Sequence, residues 1–200
     1  MAKHVRSVRR QPKGDKRERT RAALIDAAAA VIGEKGWDRT SLEEVASRAG
    51  MSRGAIYGNF KDREELFLAV VQQRWKPVAA PYKPGTSFKQ HMHVVGKAVA
   101  AAGPERRAQA LGALSFMLYA LTHEHMRVEV ERLNRDIYKR MAEGIVRGFP
   151  RAQLPMDPAL LVPVLHGLAD GLTFLRFLTP NLITEDVIVA AFDAIAAGTQ

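Results

Sequence analysis

The chain of 200 residues contains no cysteine. It therefore has no disulfide framework, thiolate zinc site, cysteine-ligated iron–sulfur cluster or cysteine nucleophile. Strand signals are also scarce: there are no alternating Val, Thr and Tyr runs joined by Asn-Gly turns. The longest nearly apolar run, Ala110 to Leu121, is too short to span a bilayer, and the N-terminus lacks the apolar core of a signal peptide. A soluble, cytoplasmic chain is expected. No internal repeat is visible. The histidines lack a metal spacing as well. His91 and His93, and His123 and His125, stand two residues apart, which on a helix is about 200°. No pair has the i, i+4 zinc spacing, so no metal and no cofactor are expected.

What is present is positive charge, 30 Lys and Arg against 21 Asp and Glu, net +9. Such a surplus points to nucleic acid or an anionic surface. It is unevenly placed. Residues 1–21 hold nine basic and two acidic side chains, whereas residues 22–63 hold six of each. Residues 1–14 have few apolar groups beyond Val5 and Val8 and include Pro12 and Gly14, so a disordered basic arm is expected there.

From Asp15 onward nearly everything has helical periodicity. Leu24, Ala27, Ala28, Val31 and Ile32 form one face of a helix ending at Gly36. Ser41-Leu42-Glu43-Glu44 has the pattern of a capping box opening a short helix. Gly50 suits a sharp turn, and Ser52 can cap a second short helix from Arg53 to Asn59. Pro77, Pro81, Pro84 and Gly85 mark a linker or corner. Four or five longer helices follow, near 86–102, 105–121, 123–149, 158–178 and 184–197, with Pro163 able to kink the fourth. The chain is thus all-α, with about nine helices.

Two short helices joined by a Gly turn, behind a longer amphipathic helix, make a helix-turn-helix. In such a unit the second short helix can enter the major groove while the first crosses the backbone. The text Ser41-Leu42-Glu43-Glu44-Val45-Ala46-Ser47-Arg48-Ala49-Gly50-Met51-Ser52, then Arg53-Gly54-Ala55-Ile56-Tyr57-Gly58-Asn59-Phe60, then Lys61-Asp62-Arg63-Glu64-Glu65-Leu66 resembles the DNA-binding domain of the TetR family of bacterial transcriptional regulators. The family often has His where Asn59 stands, Lys where Arg63 stands, and Thr or Ser where Ala55 stands. Asn59 and Arg63 can still donate to phosphate; Ala55 can touch a thymine methyl but cannot hydrogen-bond a base.

The resemblance implies a layout of three parts: the arm at 1–14, a helix-turn-helix DNA-binding domain at 15–62, and an effector-binding and dimerisation domain at 63–200. It makes Arg53 the base reader, paired with a guanine, with Gly54 and Ala55 allowing close approach. Ser41, Ser52, Tyr57, Asn59, Lys61 and Arg63 would hold phosphates. On plainer chemistry Ser41 and Ser52 are helix caps first, Tyr57 is a core aromatic, and Arg63 is a surface charge. For Arg63, Leu66 and Phe67 offer no acid one helical turn on.

In the C-terminal part, Phe88, His91, Met92, Val95, Phe116, Met117 and Tyr119, with His166, Asp170 and Phe174, are candidate lining for an apolar effector pocket. Asp170, if buried, needs a partner such as Arg176. Leu161, Val164, Leu165, Leu168, Leu172 and Leu175, with Ile188, Phe192 and Ile195, give two apolar helices that the resemblance assigns to a homodimer interface. They suit the domain's own core equally well. The implied function is a repressor released from a palindromic double-stranded DNA operator by a small, largely apolar effector, the alternative being a regulator activated by its effector. No enzymatic activity is expected, since no motif places a nucleophile beside a base. A helical acid–base enzyme and a non-specific binder working through the arm are the competing classes.

Overall fold

A computed structural model describes residues 13–74, 77–78 and 80–197. The described residues form nine α-helices and no strand: α1 (Lys13–Lys35), α2 (Leu42–Arg48), α3 (Arg53–Tyr57), α4 (Arg63–Arg74), α5 (Phe88–Ala101), α6 (Gly103–Thr122), α7 (Glu124–Gly148), α8 (Pro158–Leu178) and α9 (Glu185–Ala196). The expected arm falls mostly on residues 1–12, outside the described residues, while Lys13 and Gly14 already belong to α1.

The chain divides into two compact units, Met1–Trp75 and Lys76–Gln200. The sequence layout put the border after residue 62. In the structure α4 packs on α1, with Leu66, Phe67 and Val70 buried beside Leu24, Ala28, Val31 and Ile32. Trp37 closes this core with its ring edge-on to Phe67 at 4.1 Å.

The turn between α2 and α3 sets the geometry of the first unit. Gly50 takes φ +64, and the α2 carbonyls left open are closed by Gly50 N–H to Ser47 O (3.0 Å) and Met51 N–H to Ala46 O (2.8 Å). That pair of bonds is a Schellman motif, which needs the left-handed residue that Gly supplies. Ser41 and Ser52 cap their helices, accepting from Glu44 N–H and Ala55 N–H, both at 3.2 Å. The reciprocal half of the expected capping box is replaced: the Glu44 carboxylate pairs with Lys35 of α1 at 2.5 Å.

In the second unit α5 lies along α9. A Cβ on Gly96 would stand 3.1 Å from Val189 Cα and 3.2 Å from Phe192 Cβ, so glycine permits this approach. Helix α7 packs on α8, and α6 on both. Phe88, Met92, Val99, Phe149, Leu161, Leu165, Ile188 and Phe192 make up much of the core. Asp157 caps α8 and Pro158 begins it; Pro163 lies inside the helix, which runs on to Leu178. By length and composition the stretch Arg151–Leu178 could cross a membrane, which the run from Ala110 to Leu121 had not indicated. One side of α8, with Leu161 and Val162 fully buried, forms the domain's core.

Candidate nucleic-acid interface and ligand cavity

Helix α3 is short, and its burial is one-sided. Ile56 is fully buried and anchors it, while Arg53 is 72 % exposed and Tyr57 47 %. Gly54 is exposed as well, and Ala55 is half-buried. The structure thus brings Arg53, Gly54 and Tyr57 onto the outside of the helix expected to read DNA. Lys61 is exposed in the following turn, with its ammonium 3.4 Å from Asp62.

Other expected phosphate donors are engaged within the unit. The Asn59 amide N–H donates to Ala55 O at 2.8 Å, and its Oδ1 is buried with no hydrogen-bond partner among the described residues. The Arg63 guanidinium donates to Asp38 O and Thr40 O, both at 3.3 Å, and lies 5.0 Å from the Phe67 ring centre. Its partners are carbonyls 25 and 23 residues away, so the absence of an acid one turn on was no guide. Arg21 had been counted with the basic tail. It donates to Asn59 O at 2.7 Å, lies over the Phe60 ring at 4.1 Å and fastens α1 to the end of α3.

Half of the balanced charges of residues 22–63 lie in three local ion pairs. Glu34 pairs with Arg48, Lys35 with Glu44, and Glu43 with Arg53. Glu43 Oε1 stands 2.9 Å from an Arg53 guanidinium nitrogen as an ion pair and accepts from the Tyr57 hydroxyl at 3.1 Å. Its own backbone N–H, then Tyr57, then Arg53 hold this carboxyl below the usual carboxylate range.

The second unit holds a cavity of about 290 Å³. His91, Met92 and Val95 of α5, with His166 and Asp170 of α8, line it as expected. Sequence reasoning missed Tyr82, Met141, Ile145 and Phe149, which are among the other residues lining it. Tyr82 and His91 both approach the Phe149 ring, at 5.1 and 5.2 Å, and form an aromatic corner. Burial pushes the His91 imidazole down, toward its neutral form. Phe88 stands behind this corner, 5.4 Å from Phe149. Phe116, Met117, Tyr119 and Phe174 are not among the lining residues. Tyr119 instead stacks on His123 at 3.8 Å, and Met117 is exposed.

A polar relay runs along one wall. The Tyr138 hydroxyl is 2.6 Å from His166 Nδ1, His166 Nε2 is 3.1 Å from Asp170, and Asp170 is 3.4 Å from Arg106. The Tyr138 phenol can donate to Nδ1, and His166 Nε2 faces the Asp170 carboxylate. Burial, and then the Asp170 charge, push the Tyr138 phenol up, keeping it protonated. Of the partners offered for Asp170, Arg176 of its own chain is engaged elsewhere. Arg176 stands six residues on, about 240° round the helix, and donates to Ala100 O at 3.1 Å.

The expected dimer residues are split between core and surface. Leu161, Leu165, Ile188 and Phe192 are buried in this chain's own core, and Leu168, Leu172 and Ile195 pack against it. Val164 and Leu175 are exposed, in one stripe with Leu160, Gly167, Gly171 and Leu178.

Residues 24–70 match the family model described as bacterial regulatory proteins, tetR family. The chain is 26 % identical over 165 residues to the HTH-type transcriptional regulator SrpR of Pseudomonas putida, covering 78 % of this chain and 75 % of that one. It superposes on MexZ, titled a key repressor responsible for antibiotic resistance in Pseudomonas aeruginosa, with TM-score 0.61 and 25 % identity over 90 % of this chain and 93 % of that one. It superposes on SmeT in its triclosan complex with TM-score 0.62 and 22 % identity, covering 88 % and 90 %. The family match covers the first unit, and the likenesses to solved structures extend the same fold over most of the chain.

Proposed function

We propose that this chain, whose residues 24–70 match the tetR family model, is a cytoplasmic, homodimeric, DNA-binding transcriptional repressor released from its operator by a small molecule. The exposed outer face of α3, with Arg53 and Tyr57 standing out from a helix pinned by Ile56, is the observation that carries the proposal. Arg53 would contact a guanine edge. Ser41, Ser52, Tyr57 and Lys61 would set register on phosphates, and Asn59 and Arg63 would chiefly shape the unit.

The α8 stripe of Leu160, Val164, Gly167, Gly171, Leu175 and Leu178 would meet its symmetry mate. The spacing of four, three, four, four and three residues keeps the six on one helix face. A Cβ on Gly167 or Gly171 would meet nothing within 4 Å, leaving room for a second helix to lie close. A two-fold dimer would present two recognition helices about 34 Å apart and require a near-palindromic operator.

The cavity would take the effector. Its walls are mainly apolar, and the Asp170 charge is already answered by Arg106 and His166. A neutral, largely apolar molecule with one hydrogen-bonding group fits this balance, because a bare charge would lack a counter-ion. The effector shifts the protein only if it binds the non-operator state more tightly.

Selection of bound sequences from a random duplex pool tests the whole proposal. Wild type should enrich a palindrome. Arg53→Ala should lose about 1–3 kcal/mol of discrimination at one base pair per half-site. Equal enrichment by wild type, Arg53→Ala and Tyr57→Phe would remove α3 from the interface. Triclosan, the ligand of the solved SmeT complex, is a first probe: release of the operator supports repression, and tightened binding supports the activated alternative.

A further inference from the structure

An interface with a polyanion gains from cations and loses from carboxylates. Yet Glu43 sits among the groups that would face DNA. It lies in the first turn of α2, and its Oε1 stands 2.9 Å from the Arg53 guanidinium as an ion pair and accepts from the Tyr57 hydroxyl (3.1 Å), while the Arg53 guanidinium is 5.8 Å from the Tyr57 ring. One carboxylate thus occupies both side chains through which α3 would contact DNA. The cluster joins two helices whose relation is fixed by the Gly50 turn.

We propose that Glu43 is a specificity-determining residue of the DNA interface. It aims Arg53 at a base edge and penalises contacts made to phosphates alone. The proposal rests on the DNA-binding role set out above.

Guanidinium has five N–H donors. Arg53 approaches Glu43 through one nitrogen at 2.9 Å, which leaves donors enough for a bidentate contact to guanine O6 and N7 while the ion pair stays intact. At an arbitrary sequence the paired guanine acceptors O6 and N7 are missing from that position, and the charged acceptors that compete for the guanidinium are phosphate oxygens. Turning toward a phosphate rather than a base edge draws the guanidinium away from Glu43, which then stands as an unanswered carboxylate beside the backbone. The Tyr57 hydroxyl has one proton, so donating it to a phosphate also withdraws it from Glu43. At the operator Arg53 remains as the counter-charge when Tyr57 turns away; at random DNA neither group remains. The repulsive element therefore bears harder on the wrong sequence than on the right one.

The experiment compares the full-length wild type with Glu43→Gln and Glu43→Ala. Affinities are measured by fluorescence anisotropy, from about 50 to about 200 mM salt, for a wild-type-selected operator and for an unrelated duplex. Glu43→Gln should bind the unrelated duplex about five- to tenfold more tightly, with a log–log salt slope steeper by about 0.9. The ratio of operator to unrelated affinity should fall by at least about fivefold, and the pool selected by Glu43→Gln should lose preference at one base pair per half-site. Glu43→Ala should move the ratio the same way. An unchanged ratio overturns the proposal. So does an equal loss on both duplexes with a lowered melting temperature, which marks a purely structural role. A wild type that enriches no sequence refutes the regulator assignment itself, and the Glu43 proposal with it.

Discussion

Replacing Arg63 by Ala separates two roles that the sequence leaves equal. In the structure its guanidinium donates to the carbonyls of Asp38 and Thr40 at 3.3 Å each and faces the Phe67 ring at 5.0 Å. Thr40 is buried, so its carbonyl gains no ready water partner when Arg63 is removed. Charged hydrogen bonds contribute about 1.5–3 kcal/mol at good geometry; at this length each contributes less, about 0.5–1 kcal/mol. The cation–π contact adds about 0.5 kcal/mol. Arg63→Ala should therefore destabilise the first unit by about 1.5–2.5 kcal/mol. Trp37 touches Phe67 and reports on this region, so urea unfolding followed by its fluorescence in a Trp75→Phe background is the assay. With a slope of about 1 kcal/mol/M for a unit of this size, the midpoint should fall by about 1.5–2.5 M. The salt slope of operator binding, measured below the transition, should stay where it was. An unmoved midpoint with a slope shallower by about 0.9 would show instead that Arg63 is a phosphate contact.

Gly50→Ala adds a Cβ with nothing within 4 Å, so only the φ of +64 is strained; the Trp37 midpoint should correspond to a loss of about 1–2 kcal/mol, and operator affinity should fall with it. His91, lowered by burial, binds protons less readily folded than unfolded. As pH falls from about 7 through the ordinary histidine range near 6.5, the unfolded chain gains protons first and stability declines. Thermal melts of the wild type at pH 7 and 5 should show that decline, and His91→Gln should flatten it.

The helix-turn-helix was legible because its determinants are local. Ser41, Gly36, Gly50 and Ser52 act on backbone within a few residues, and the Ile56 and Phe60 spacing needs no distant partner. The roles of Arg21, Arg63 and Glu43 were not legible, because each depends on an atom from another helix or turn. Arg21 reaches a carbonyl 38 residues away. Half of the expected cavity lining was legible because α5 and α8 repeat apolar residues at helical spacing. Tyr82 was hidden in the Pro-Gly corner, and Met141 and Ile145 among the charges of α7.

Helix α8 shows why apolar periodicity does not assign a face to its partner. The leucines of α8 were read together as one interface, yet Leu161 and Leu165 point into the domain, and Val164 and Leu175 point out. Leu161 and Val164 are three residues apart, close enough to share a broad stripe. The helix is apolar over most of its circumference, so hydropathy sees one population of side chains where packing separates two. Glycine position distinguishes them. Gly167 and Gly171 have open space at Cβ, whereas Gly96 on α5 has Val189 and Phe192 against it. A glycine filled by its own chain marks an internal crossing, and a glycine facing open space within an apolar stripe leaves room for the proposed second helix. On that criterion the α5–α9 contact belongs to the protomer, and the outer stripe of α8 is where a second copy would dock.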